Sequence, residues 1–131
     1  MKKIVMTLFT TTLLVFVFFA GSTEAFAMTS KGAINFQTDA NTYSKRATSI
    51  VVTGTMPKKY SKLNNGVTVF LVNKKGETVK SIASDRDNIR SFRVSFSTSN
   101  IPAGKYDVQV ATTWGTRTLV GELKHYITVQ H

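Results

Sequence analysis

Two histidines, His125 and His131, and no cysteine limit the covalent chemistry open to this chain. A thiol nucleophile is excluded. A Ser-His-Asp arrangement would have to use His125, which stands among Leu123, Ile127 and Val129 in a core-facing register. A general base must reach its substrate, so His125 reads as a packed or rim side chain, and His131 is terminal. Carboxylate chemistry needs convergent pairs, and the close pair here, Asp85 and Asp87, has Arg86 between its members. A hard cation wants several oxygen ligands in a spaced loop, so Ser84-Asp85-Arg86-Asp87-Asn88 reads as a polar turn. Neither a Gly-rich phosphate loop nor a zinc spacing is present. The expectation is a protein that is not an enzyme and carries no cofactor.

A different set of residues suits non-covalent work: Lys58, Lys59, Tyr60, Lys62, Arg86, Trp114 and Arg117. Lys and Arg pair with phosphates, while an indole sits at an interface or stacks on a sugar. What would bring them together is the order of the strands. Short stretches rich in Val, Ile, Phe, Tyr and Thr recur between turn residues, with no sustained 3.6-residue period. They predict strands over 33–38, 49–56, 67–73, 77–82, 90–96, 105–112 and 116–129. If these run antiparallel in sequence, loops 57–66, 83–89 and 113–115 fall at one end and carry all of the set but Arg117, which stands just beyond the last of them. The other end has Lys45, Arg46, Lys74 and Lys75, with no aromatic residue in its hairpin.

Alternation assigns the faces. Phe92, Val94 and Phe96 point one way and Ser91, Arg93 and Ser95 the other; Tyr106, Val108 and Val110 oppose Asp107 and Gln109. In the last strand Leu119, Gly121, Leu123, His125, Ile127 and Val129 share a face. Val67 to Val72 is nearly continuously apolar, which fits a central strand with both faces covered or an exposed apolar face used for contact, and 77–83 alternates poorly enough to suggest a bulge. Asn73-Lys74-Lys75-Gly76 reads as a hairpin turn, and Asn64-Asn65-Gly66 ends the longest loop.

The N-terminus reads as an export signal: Met1-Lys2-Lys3, an apolar run from Ile4 to Ala20, and small residues at Ala25 and Ala27 before a cleavage point. Residues 1–27 are therefore expected to be a cleaved signal peptide, 28–32 a flexible leader and 33–131 one β-sandwich domain. The mature part, 28–131, has 15 Lys and Arg against 6 Asp and Glu, a net charge of +9. Its length is enough for a core without staples. With no cysteine, export from a Gram-positive bacterium is the compartment that fits. So one-sided a charge favours anionic partners or serves solubility.

The run Pro102-Ala103-Gly104-Lys105-Tyr106-Asp107-Val108 resembles the tyrosine corner and the start of the penultimate strand in immunoglobulin-like sandwiches, with Val108 where antibody domains have cysteine. With Val51-Val52-Thr53-Gly54, Val67 to Gly76 and Phe92 to Phe96, the order is similar to bacterial Ig-like modules across most of the mature chain. That resemblance implies an all-β, Ig-like antiparallel sandwich of about seven strands and specifies no activity.

The functional expectation is a secreted, non-enzymatic module that binds an anionic cell-surface polymer such as teichoic acid of the cell wall. Two other classes fit the same residues: a membrane-active antimicrobial or elicitor-type protein acting at anionic membranes, and an inhibitor of an extracellular enzyme. Nucleic acid is disfavoured, because a base-stacking motif is absent.

Overall fold

The computed structural model describes residues 26–60, 64–84 and 86–130. The expected signal peptide up to Ala25 lies outside the described residues, as do Lys62, Asp85 and His131. Ten strands follow one another: β1 (Ser30–Gly32), β2 (Asn35–Thr38), β3 (Thr42–Tyr43), β4 (Ser49–Thr55), β5 (Thr68–Asn73), β6 (Thr78–Ala83), β7 (Ser91–Ser97), β8 (Gly104–Trp114), β9 (Arg117–Leu123) and β10 (Ile127–Val129). They form two sheets. The smaller has the order β2-β4-β7; in the larger, β8 is central, with β5 then β6 on one side and β9 and β10 on the other, edged by β1 and β3.

Strict alternation builds the core between them. From β8, Tyr106, Val108, Val110 and Thr112 are buried, and Ile50, Val52 and Phe96 meet them from the smaller sheet. A fully buried Val, Ile or Phe contributes about 1.5–3 kcal/mol, so in a chain without a cysteine this layer carries the fold. The near-continuous apolar run of β5 has the central place expected of it, between β6 and β8. The register of β6 against β5 slips between Leu71 and Val72, which is the bulge the poor alternation of this strand suggested. Tyr106 closes the corner: its hydroxyl donates to the carbonyl of Pro102 at 2.6 Å. The all-β, two-sheet, Ig-like reading therefore holds.

Three expectations change in detail. The strand count among the described residues is ten because short segments pair at the sheet margins, and one pair, β3 with β10, is parallel. Residues 28–32 are no loose leader: β1 pairs with β9, and Met28 O accepts from Thr38 N at 3.0 Å. The last strand is broken. Gln109 pairs with Glu122 but Tyr106 with Ile127, so two extra residues are inserted around Lys124-His125-Tyr126. An insertion of two preserves the pleat, so Leu123, Ile127 and Val129 stay buried while His125 is exposed, not core-facing.

Candidate functional site

The described residues of the turns at 57–66, 83–89 and 113–115 do meet at one end of the sandwich, and one buried residue joins them through its side chain and its backbone. Asn64 is 1% exposed. Its Nδ2 donates to the carbonyls of Tyr60 (3.1 Å) and Ile89 (3.0 Å). Its Oδ1 accepts from the backbone N–H of Ile89 at 2.9 Å and Gly66 at 3.3 Å. Its own carbonyl accepts from Asn88 N at 2.9 Å. An amide has two donors and an acceptor oxygen with two lone pairs, and here all are used. Asn64 also bridges Trp114 across the backbone.

Neighbouring bonds lock the same junction. Asn65 N reaches Thr113 O at 3.1 Å, Asn65 Nδ2 reaches Thr113 Oγ1 at 2.8 Å, and Thr112 Oγ1 donates to Gly66 O. Gly66, at φ +91°, is required here, because a Cβ would stand 2.8 Å from Ser84 O.

On this frame stand the cations. Lys58 and Lys59 lie exposed on a 3-10 turn, Lys58–Tyr60, and Lys59 Nζ sits 5.0 Å from the centre of the Tyr60 ring. Arg86 and Arg117 are exposed on the adjoining turns, as is Arg90 just before β7. Among the described residues of the three turns, Asp87 is the carboxylate. Lys59, Arg86, Arg90 and Arg117 form no ion pair with described residues, whereas Lys31 and Glu122, far along the larger sheet, approach to 3.8 Å.

The aromatic members are placed differently from the cations. Trp114 is half-buried against the core and meets Tyr60 edge-on, ring centres 4.8 Å apart and planes at 71°. Its indole nitrogen is buried with no hydrogen-bond partner among the described residues. The cause lies in the pleat of β8, where the even positions face inward from Tyr106 to Thr112 and Trp114 continues the series. That parity was readable in the sequence. Asn64 was not, since within Asn64-Asn65-Gly66 nothing distinguishes a staple from a turn residue.

The arrangement is a cationic rim over a plug of Tyr60 and Trp114, and among the described residues it holds no convergent carboxylates and no nucleophile-base pair. A groove of about 660 Å³ lies elsewhere, beside Asn35, Gln37, Thr53, Thr55 and Ser91 of the smaller sheet. No cluster of metal-ligating side chains occurs among the described residues.

These features define an Ig-like β-sandwich with a basic loop end. No protein-family model and no curated protein matches the sequence. Among solved structures, the chain is similar to the soluble domain of PmoD from Methylocystis sp., with a TM-score of 0.53 at 10% identity over 79% of this chain and 98% of that one. A DUF3244 family protein from Bacteroides vulgatus, described as having an immunoglobulin-like β-sandwich fold, superposes with a TM-score of 0.47 at 18% identity, covering 78% of this chain and 95% of that one. At such identity the likeness to PmoD is one of fold alone.

Proposed function

We propose that the chain is a secreted, non-enzymatic module that holds an anionic cell-surface polymer, teichoic acid of the cell wall in the first instance, on the rim carrying Lys58, Lys59, Arg86 and Arg117. The observation that carries this reading is the convergence of three separate turns, stapled by Asn64, into one cationic surface. Magnitudes favour a polymer over a small anion. A Lys or Arg near an anionic surface is worth about 1 kcal/mol, and four of them give an encounter of about millimolar strength. A repeating polyanion multiplies such an encounter through effective concentration, whereas a single phosphate cannot.

The test is cosedimentation of the protein with purified Gram-positive walls, with and without teichoic acid, at low and high salt. Wild type is expected to pellet with intact walls at low salt and to be released by high salt, since exposed charges are screened. A Lys58→Ala/Lys59→Ala variant is expected to pellet several-fold less. Wild type that stays in the supernatant at low salt refutes the reading. Anionic liposomes form a further arm. Trp114 is half-buried and packed against Tyr60 rather than held out from the rim, so leakage from those liposomes would also overturn the proposal.

A further inference from the structure

A sheet edge is an open row of backbone donors and acceptors, and proteins ordinarily blunt it. Most edges of this sandwich are blunted. In the larger sheet β6 is bulged, and the opposite margin is divided between β1 and β3, of three and two residues. In the smaller sheet the outer side of β2 is occupied: Thr38 N donates to Met28 O at 3.0 Å, Phe36 N to Ser30 Oγ at 2.8 Å, and Thr29 bridges Gln37. The outer side of β7 differs. It is a regular strand of seven residues that, among the described residues, has β4 on one side and no strand on the other.

Its polar groups can be assigned from the ladder. Met56 N donates to Arg90 O and Thr98 N to Thr48 O, so the even residues of this strand bond to β4. The odd residues, Ser91, Arg93, Ser95 and Ser97, turn their N–H and C=O groups to the open side. Lys80 Nζ covers one end, donating to Ser97 O at 3.0 Å and Ser99 O at 3.2 Å. On the inner face of the same strand Phe96 is buried, while Phe92 and Val94 are only half-buried.

We propose that β7 is a self-pairing edge, through which two copies of the chain join their smaller sheets antiparallel about a two-fold axis at Val94. The sequence of the strand is nearly symmetric about that residue: outward from Val94 come Arg93 and Ser95, then Phe92 and Phe96, then Ser91 and Ser97. A two-fold interface must be complementary to itself, and this strand is. Antiparallel pairing on that axis sets Phe92 against the partner's Phe96 on the inner face and covers the half-buried Phe92 and Val94. Arg93 exchanges both backbone bonds with the partner's Ser95, so no two guanidinium groups stand directly opposite, as they would with the axis at Arg93. Lys80 reaches only the Ser97 end, and the central bonds are formed without displacing it.

The chain has no cysteine, which makes the geometry directly testable. In a non-hydrogen-bonded antiparallel pair the Cα atoms are about 4.5 Å apart, within disulfide range. Val94→Cys, expressed from the full-length gene, is therefore expected to form an intermolecular disulfide on mild oxidation. Val120→Cys, exposed on the other sheet, is expected to remain monomeric. Sedimentation equilibrium of wild type is expected to show a monomer–dimer equilibrium. Ser95→Pro deletes an N–H that faces away from β4, a place where an edge strand tolerates proline; circular dichroism should be unchanged while the dissociation constant rises about tenfold or more. Wild type that is monomeric at millimolar concentration, a dimer that survives Ser95→Pro, or Val94→Cys that cross-links no faster than Val120→Cys each overturns the proposal.

Discussion

Tyr43 is the residue whose surroundings bear most directly on stability. Its ring is buried, its hydroxyl donates to Asp39 Oδ1 at 2.5 Å, and it accepts from Ala40 N at 3.1 Å. Burial, reinforced by the Asp39 carboxylate, raises the phenol well above the ordinary tyrosine value. Tyr106 is raised too, by burial. A phenol raised in the folded state keeps its proton where the unfolded chain, titrating near 10, has lost it. The folded protein then binds more protons than the unfolded one, and stability falls as pH rises above about 10, by up to about 1.4 kcal/mol per pH unit for each such group. Denaturant midpoints measured from pH 7 to pH 11.5 are expected to be level at first and then to decline. Tyr43→Phe should be weaker by about 1 kcal/mol at neutral pH yet decline less steeply. Parallel curves for the two proteins would show that Tyr43 does not carry the alkaline loss.

Among the strands, Gly54 of β4 shows how closely neighbouring elements meet. It stands between Phe36 of β2 and Phe92 of β7 in register. A Cβ there would lie 2.3 Å from the Phe92 ring and 2.7 Å from Phe36 Cβ. The ring can move, but the Cβ of a paired strand cannot, so Gly54→Ala is expected to cost about 1–3 kcal/mol. In a domain of this size the melting temperature falls by about 4–8 °C for each kcal/mol, which a thermal scan reads directly; an unchanged melting temperature would contradict the close packing. Strands such as β7 and β8 were legible because one face of each is buried and the pleat stamps a period of two on the sequence. β1 and β3 were not, because two or three residues show no period. The break between β9 and β10 was hidden for another reason: its two extra residues leave the parity of Leu123 and Ile127 intact, so that it shows in the pairing register and in the exposure of His125. At the rim, topology alone placed the turns that carry Lys58, Arg86 and Trp114 at one end. The Asn64 staple was invisible, because hydrogen bonds made 25 residues apart leave no local pattern.

At the scale of the whole molecule, charge is spread over both ends, so a surplus of cations alone could mimic a site. Lys45, Arg46, Lys74 and Lys75 are exposed at the end opposite the rim. The structure also brings an aromatic ring near them: Tyr126, 46% exposed in the break before β10, lies 5.9 Å from Lys74 Nζ. Long-range attraction depends on net charge and is screened beyond a Debye length of about 8–10 Å at moderate salt. Direct pairing depends on where the charges stand. Two variants with the same net charge therefore separate the cases: Arg86→Glu/Arg117→Glu at the rim and Lys74→Glu/Lys75→Glu at the far end. In low salt both are expected to bind a polyanion more weakly than wild type. Near physiological salt the far-end variant should recover most of the wild-type affinity, while the rim variant, whose contacts are local, should stay several-fold weaker in cosedimentation with teichoic-acid-bearing walls. Equal losses at both salts would mean that the protein is held by its net charge rather than by the surface that Asn64 assembles.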